Sequence, residues 1–225
     1  MRPKREVENE FNDLQKALSS YVQGLGIDQL IYGVLCPTIV RMVKGSGDPG
    51  TEDRPYATTK IHVDPWAGDP ADEVVVFMPV LGDISRTTAK FFQPPKEHEA
   101  QLSRPMPSFD LGLALIGECE PYPLQQRAGY AYFTDAIVPH RTVKHGGGAR
   151  VTVEVRFRRR TTEEERIAIE NVCVRERLVH YIDVASWHSL GTTKRMKFSD
   201  TYANAKRGIF TARPYEEPTY TLAEI

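Results

Sequence analysis

The sequence lacks the features that mark several large classes of protein. It has only 3 cysteines among 225 residues, and they are widely separated and form no C-x-x-C pair. A small, odd-numbered set of this kind argues against a disulfide framework and favours a reducing, cytoplasmic location. No stretch approaches the run of about eighteen apolar residues that a membrane span needs, and the N-terminus has no apolar segment typical of a secretion signal. We therefore expect a soluble protein that is not exported.

Neither sign of charge is in excess. The 29 basic side chains are balanced by 30 acidic ones, which gives a net charge of −1. A chain with this balance has no overall field to attract nucleic acid or an anionic membrane. The basic run RFRRR at 156–160 is followed by acidic residues at 163–165, so we expect no nucleic-acid interface there. The expected partner is a small molecule, bound by a monomer or a homodimer.

The length suits a single domain over 1–225 with extensions at both ends. Apolar residues at spacings of three and four from about Val7 to Val22 predict an amphipathic helix, which places an N-terminal helical extension at 1–30. The sequence TTEE at 161–164 and the glutamate after it form a capping-box signature and predict a second helix to about residue 178. We assign 161–225 to this helix and a tail.

The middle of the chain, 31–160, alternates short apolar runs with turn residues, as a mainly β core would. We predict strands at 30–43 with a break at Pro37, and then at 56–64, 73–83, 86–93, 110–118, 129–138, 140–143 and 150–158. The glycine-rich segment KHGGGA is expected to be a hairpin turn between the last two strands. The pattern predicts a mainly β protein with flanking helices, folded as a barrel or a double-sheet jelly roll.

One set of residues has the chemistry of a metal site. His62 and Asp64 form an H-x-D pair, and His140 lies far downstream. Side chains at positions i and i+2 of a strand point to the same face, so the first two would both face the barrel interior. Two imidazoles and a carboxylate with open coordination positions beside them suit a non-haem Fe(II) oxygenase. We predict that these three residues bind the metal and form the catalytic centre.

Further residues extend the predicted site. Arg150 follows the second histidine by ten residues, and its planar guanidinium would pair with a carboxylate beside the metal. Thr58 and Lys60 share the parity of the first histidine on the predicted strand, which makes them candidates either to support the metal ligands or to contact a co-substrate bound beside the metal. Trp66 follows at the expected rim of the barrel, where its ring would pack against a substrate.

These residues, laid over a run of short strands, resemble the Fe(II)- and 2-oxoglutarate-dependent dioxygenases with a double-stranded β-helix fold. The resemblance spans about 56–158, and the ten-residue interval between His140 and Arg150 is its most specific part. The segment HVDPWAGDPADEVVVFMPVLGD at 62–83 is similar to oxygenases of aminoglycoside antibiotic biosynthesis. These include the streptomycin biosynthesis type and the oxygenase that forms the orthoester of hygromycin B.

The resemblance implies three partners for the site: Fe(II), 2-oxoglutarate as co-substrate and O₂. It implies that the metal binds the 2-oxo acid through the keto oxygen and one carboxylate, while Arg150 pairs with the other carboxylate. The implied reaction oxidises a C–H bond of a sugar or aminoglycoside intermediate and releases succinate and CO₂. Hydroxylation and ring closure are both compatible with it.

The sequence leaves the choice of distal histidine open. His145 lies in the glycine-rich turn and is the rival of His140. The remaining histidines are expected to be structural or surface residues, and they are His98, His180 and His188.

Two further alternatives concern the surroundings of the site and its function. Lys44–Pro55 is a candidate lid, and four acidic residues form either a solvated loop or a rim that attracts a polycationic sugar: Asp69, Asp72, Glu73 and Asp83. The alternative function is a metal-binding barrel without oxygenase activity, such as a sugar-binding module, an isomerase or an epimerase. That protein would keep the histidines but would not use Arg150 for a 2-oxo acid.

Overall fold

The computed structural model describes residues 5–45, 54–117, 119–172, 181–198 and 220–225. Its helices are α1 Glu8–Leu25, α2 Glu99–Leu102, α3 Phe109–Ile116, α4 Glu163–Val172 and α5 Val184–Ser189. Its strands are β1 Ile31–Leu35, β2 Ile39–Lys44, β3 Glu73–Gly82, β4 Thr87–Phe91, β5 Tyr132–Asp135, β6 His140–Lys144, β7 Ala149–Arg159, β8 Tyr181–Asp183, β9 Lys194–Phe198 and β10 Tyr220–Glu224. The prediction of a mainly β protein with flanking helices is confirmed.

The described residues form two compact units. The first comprises 5–38, 157–160, 181–198 and 220–225, and the second comprises 39–45, 54–117, 119–156 and 161–172. β7 contributes its residues as far as Arg156 to the second unit and its last residues to the first. The division into an extension at 1–30, a core at 31–160 and a tail at 161–225 within one domain stays a prediction.

The first unit contains α1, and its sequence explains the helix. Phe11, Leu18 and Val22 recur at helical spacing and are buried. Gly26 ends the helix with a φ of 67°, a left-handed conformation that glycine adopts without steric cost. The predicted N-terminal helix is therefore confirmed. In the same unit β1 pairs with β8 and with the end of β7, and β9 pairs with β10.

The second unit holds two sets of paired strands. In one, β3 lies between β5 and β7, and β2 also pairs with β7. In the other, β4 pairs with β6. Strands predicted at 30–43, 73–83, 86–93, 129–138, 140–143 and 150–158 are confirmed, and the first is broken at Pro37 as expected.

The strand predicted at 110–118 is wrong, because α3 occupies this segment. Phe109, Gly112 and Ile116 are its buried residues, and their spacings of three and four are those of one helix face. Leucine and alanine, which dominate the segment, also favour helix over strand. The helical period was readable in the sequence, but a short apolar run fits both periods.

The strand predicted at 56–64 is also wrong. The segment forms turns and one isolated bridge, between His62 and His140. Within it, the Lys60 N–H donates to the Ala57 carbonyl at 3.0 Å. That bond closes a tight turn and takes a donor that a regular strand ladder would use.

The glycine-rich segment KHGGGA turns the chain as predicted, but it does not close a hairpin. β6 pairs with β4, whereas β7 pairs with β2 and β3, so the turn carries the chain from one sheet to another. Gly146 has a φ of 68°, which requires glycine in practice.

The predicted capping box is confirmed at the start of α4. The Thr162 N–H donates to the Glu165 carboxylate at 2.9 Å, and the Glu165 N–H donates to the Thr162 hydroxyl at 3.2 Å. The predicted continuation at 173–178 lies outside the described residues. In the described part of the chain, none of the helices has the length and apolar character needed to cross a membrane.

Candidate active site

The backbone brings the H-x-D pair and the distal histidine together in the second unit. The His62 N–H donates to the His140 carbonyl at 2.9 Å, and the His140 N–H donates to the His62 carbonyl at 2.8 Å. Two residues on, the Asp64 N–H donates to the Ala136 carbonyl at 3.1 Å, and a short 3-10 helix, Asp64–Ala67, begins. The convergence therefore arises from one reciprocal bridge and a helical turn, whereas the sequence had suggested strand alternation.

Both imidazoles are oriented by the backbone. Nδ1 of His62 lies 2.8 Å from the Lys60 carbonyl oxygen, and Nδ1 of His140 lies 3.0 Å from the Val138 carbonyl oxygen. A carbonyl oxygen only accepts hydrogen bonds, so each Nδ1 carries the proton and donates it. In the neutral ring, Nε2 is then left with its lone pair exposed for a metal.

The three side chains offer donor atoms at short mutual distances. One donor atom each from His62, Asp64 and His140 lies within 4.8 Å of the others. Nε2 of His140 is 3.6 Å from Oδ1 of Asp64, too long for a hydrogen bond. These three residues would hold the metal, because two imidazoles with one carboxylate suit Fe(II).

The surroundings of His62 favour its neutral form. Its ring is 3% exposed and stacks on Phe109 of α3, with ring centroids 4.1 Å apart. Burial, and then the nearby His140, hold the pKa of His62 well below its usual range. A neutral imidazole is the form that a metal binds.

Arg150 lies at the start of β7 in the same unit and is 1% exposed. Its guanidinium carbon is 5.0 Å from the Phe77 ring centroid. Phe91 packs against Phe77 at 6.3 Å and against His140 at 5.9 Å, so Phe77 and Phe91 form a chain of contacts from the guanidinium to the distal histidine. Within the described residues, Nε and Nη1 of Arg150 have no hydrogen-bond partner. Burial, and then the charge of Arg41, lowers its pKa to about 10.

The structure places Thr58 and Lys60 differently from each other. Thr58 lies beside β6, where its carbonyl accepts from the Thr142 N–H at 2.6 Å. The Lys60 ammonium donates to Oδ2 of Asp110 at 2.6 Å and to the Arg54 carbonyl at 3.3 Å. The charge of Lys60 is thus already paired, and a role for either residue in binding a co-substrate stays a prediction.

Trp66 is not at a rim. The indole is 0% exposed and belongs to a core cluster with Val63, Leu102, Phe109 and Ile116. The expected contact with a substrate ring depended on the rim position, which the structure does not show. The indole instead packs beside α3, the helix that also supplies the ring stacked on the first histidine.

The other histidines lie away from the three donors. His145 is exposed in the glycine-rich turn, so the structure joins His140, and not its rival, to the H-x-D pair. His188 lies in the first unit, between Ser19 and Asp28. His98 precedes α2 and is half-buried, while His180 is outside the described residues, as are Cys173 and the centre of the candidate lid at 46–53.

The acidic residues after the H-x-D pair are mostly interior. Asp69, Asp72 and Glu73 are 6%, 1% and 1% exposed, so the expected solvated loop and the expected attractive rim are both wrong for them. Asp83 alone lies nearer the surface, where it accepts from Ser85 at 2.7 Å.

Sequence reasoning missed Arg156, which appeared as one member of a basic run. It is 5% exposed, and its ion-pair partners are the carboxylates of Asp64, Asp69, Glu73 and Glu154. Burial opposes its charge, but these carboxylates outweigh burial and raise the pKa of Arg156. Burial also opposes the charge of Glu154 and by itself would raise its pKa. The positive charges of Arg156 and Arg41 outweigh burial and lower the pKa of Glu154 to about 2. The local signal was parity, because residues 150, 152, 154 and 156 share one face of β7.

No protein-family model matches the chain, and no curated protein matches it. Among solved structures, it is similar to the crystal structure of a novel N-substituted L-amino acid dioxygenase from Burkholderia ambifaria AMMD. The match has 10% sequence identity, covers 68% of each chain and has a TM-score of 0.35. Those values are too low to assign either a fold or an activity to this chain.

Proposed function

We propose that the chain is an Fe(II)- and 2-oxoglutarate-dependent oxygenase built on a double-stranded β-helix core. The donor set of His62, Asp64 and His140 supports the metal, because two neutral imidazoles and one carboxylate leave coordination positions open for a co-substrate and O₂. The strand pairing of the second unit, with β3, β7 and β2 in one sheet and β4 and β6 in another, supports the core.

The observation that carries the proposal is the incomplete hydrogen bonding of the Arg150 guanidinium. Two nitrogens of its buried guanidinium have no partner among the described residues. Leaving a buried hydrogen-bond donor unsatisfied typically costs about 1–3 kcal/mol, so a bound anion that accepts from these nitrogens would relieve that cost. 2-Oxoglutarate has two carboxylates, and the one remote from the metal matches the planar fork of Arg150.

Bound at these residues, Fe(II), 2-oxoglutarate and O₂ would supply the oxidation of a C–H bond, with succinate and CO₂ as by-products. The protein's own residues contribute by positioning the groups that would bind the metal and the co-substrate. The Lys60 and Val138 carbonyls hold the two imidazole rings through Nδ1. Phe77 covers the Arg150 guanidinium with apolar surface, and Phe91 packs against Phe77; such apolar surface excludes water and strengthens the attraction of Arg150 for a carboxylate.

For the substrate we propose a small polar molecule, a sugar or an aminoglycoside intermediate, that is hydroxylated or closed into a ring. The similarity of 62–83 to aminoglycoside biosynthesis oxygenases supports this class. The acidic residues in that segment add no support, because Asp69, Asp72 and Glu73 are buried.

The test is anaerobic titration of the Fe(II)-loaded protein with 2-oxoglutarate, followed through the weak visible charge-transfer band of the chelate. We expect a band in the wild type. In Arg150→Gln we expect the same band at about 10- to 100-fold higher 2-oxoglutarate, because a charge-assisted hydrogen bond contributes about 1.5–3 kcal/mol. Metal binding in this variant should be unchanged.

Arg127→Gln is the matched control, since it makes the same chemical change at an exposed arginine. It should titrate like the wild type. An Arg150→Gln protein with wild-type dependence on 2-oxoglutarate would refute the role of Arg150. A folded, Fe(II)-loaded wild type without any band would favour the metal-binding barrel without oxygenase activity.

A further inference from the structure

Arg156 is enclosed by carboxylates on every side of its guanidinium. Nη2 lies 3.1 Å from Oδ2 of Asp64, and Nη1 lies 2.6 Å from Oε2 of Glu73 and 3.4 Å from Oδ2 of Asp69. Nε donates to Oε1 of Glu154 at 2.6 Å, and Nη2 lies 2.5 Å from the same oxygen. All three nitrogens are therefore in use.

Asp64 belongs to two overlapping sets of donor atoms. One set joins it to His62 and His140, and the other joins it to Asp69 and Glu73. In each set the donor atoms lie within 4.8 Å of one another. A divalent cation that took the second set would meet only carboxylates, which hard cations prefer, and would lose both imidazoles.

The two oxygens of Asp64 face the two sets separately. Oδ1 lies 3.6 Å from Nε2 of His140, while Oδ2 contacts Arg156. The guanidinium thus sits among Asp64, Asp69 and Glu73, where a cation would have to sit. Its positive charge and its fixed fork occupy that position.

We infer that Arg156 is the positioning residue that assigns Asp64 to the histidine pair and denies the cation access to the all-carboxylate set. The inference rests on the proposed metal site, although not on 2-oxoglutarate. It makes Arg156 responsible for which ligands the metal receives, and therefore for which metals the site accepts. With Arg156 in place, one Asp64 oxygen is left for the metal beside two imidazole nitrogens.

The test uses Mn(II) as the probe on the purified full chain, with pulsed EPR to detect the nitrogen couplings of bound imidazole. The wild type should bind Mn(II) with nitrogen couplings. In Arg156→Met, the couplings should be lost or strongly reduced and the carboxylate-bound signal should replace them. The affinity of the histidine site should fall about 10- to 100-fold, the range found when groups that orient metal ligands are removed.

A matched control is Arg41→Met, because Arg41 contacts Glu154 at 3.2 Å, and Asp64 is not its ion-pair partner. It should retain the nitrogen couplings. In a second background, Asp69→Asn with Glu73→Gln, the competing set is removed, so adding Arg156→Met should no longer abolish the couplings. This rescue separates competition for the metal from a merely structural role.

The conservative variant Arg156→Lys keeps a buried positive charge but has one side-chain nitrogen in place of three. It tests the inference if Arg156→Met does not fold. We expect weaker Mn(II) binding and reduced nitrogen couplings. Unchanged affinity and couplings in a folded Arg156 variant would overturn the inference while leaving the metal site intact. A wild type without nitrogen couplings would overturn the inference and the proposed function together.

Discussion

The two candidate histidines are prepared for a metal by the main chain. Each Nδ1 donates to the carbonyl two residues earlier, that of His62 to the Lys60 carbonyl and that of His140 to the Val138 carbonyl. The reciprocal backbone bridge between the histidines then fixes the spacing of their rings, whose centroids are 4.4 Å apart. No side chain beyond these residues is needed to select the tautomer, so the arrangement is local to two short segments.

His140→Ala should abolish tight metal binding. The change removes a ligand atom, and loss of groups that only orient ligands already costs about 10- to 100-fold in affinity. We therefore expect Fe(II) or Mn(II) affinity to fall by more than about 100-fold, measured by calorimetry under anaerobic conditions. His145→Ala is the paired control, because His145 is exposed in the turn after β6. Equal losses in both variants would contradict the choice of distal ligand.

α3 packs closely against the buried Trp66 and also contacts the candidate site. A methyl group on Gly112 would lie 2.2 Å from the Trp66 ring, so only glycine fits between the helix and the indole. Phe109, one turn earlier on the same helix, stacks on His62. The position of α3 against the indole therefore also sets the surroundings of the first histidine.

Gly112→Ala should destabilise the protein by about 1–3 kcal/mol, the usual cost of overpacking a core. Gly24→Ala is the matched control in α1, where an added methyl group meets nothing within 4 Å. It should stabilise the protein by about 0.5–1 kcal/mol, because alanine is the better helix former. Urea unfolding curves measure both effects. Equal stability changes of the same sign would contradict the packing of α3 on Trp66.

At the scale of the whole molecule, the candidate site belongs to one of the two compact units. All three donors, Arg150 and Arg156 lie in the second unit. The first unit has its own core around α1, with Trp187 and Met196 fully buried. A ligand that binds the folded second unit stabilises that unit by an amount that rises with the logarithm of the ligand concentration relative to its Kd.

Metal addition should slow backbone hydrogen exchange in the second unit. At a free Mn(II) concentration of about 100 times Kd, linkage predicts about 2.7 kcal/mol of stabilisation, and removal of the metal by a chelator should reverse it. Hydrogen exchange followed by mass spectrometry would show the effect in peptides covering β3, β6 and β7. The same slowing in His140→Ala would mean that the cation binds elsewhere.

Much of the fold could be predicted because the evidence for it is local. Spacings of three and four identify α1, the Thr162–Glu165 capping box identifies the start of α4, and β-branched runs identify β3 and β7. The segments that were predicted wrongly are those whose local sequence suits two kinds of secondary structure. The run at 110–118 is apolar enough for a strand or a helix, and contact with Trp66 selects the helix.

The candidate ligands could likewise be named from their residue types and spacing. The H-x-D pair and the distal histidine are visible in the sequence, and their side chains are suitable metal ligands. The burial and the ion pairing of side chains could not be predicted in this way. Glu73 and Arg156 are 83 positions apart and meet at 2.6 Å, and no local pattern records such a contact. Electrostatic pairing depends on distance in space and on removal from water, and both arise when the strands pack. Folding therefore made Arg156 interior, enclosed Trp66 and left two nitrogens of Arg150 without a hydrogen-bond partner among the described residues.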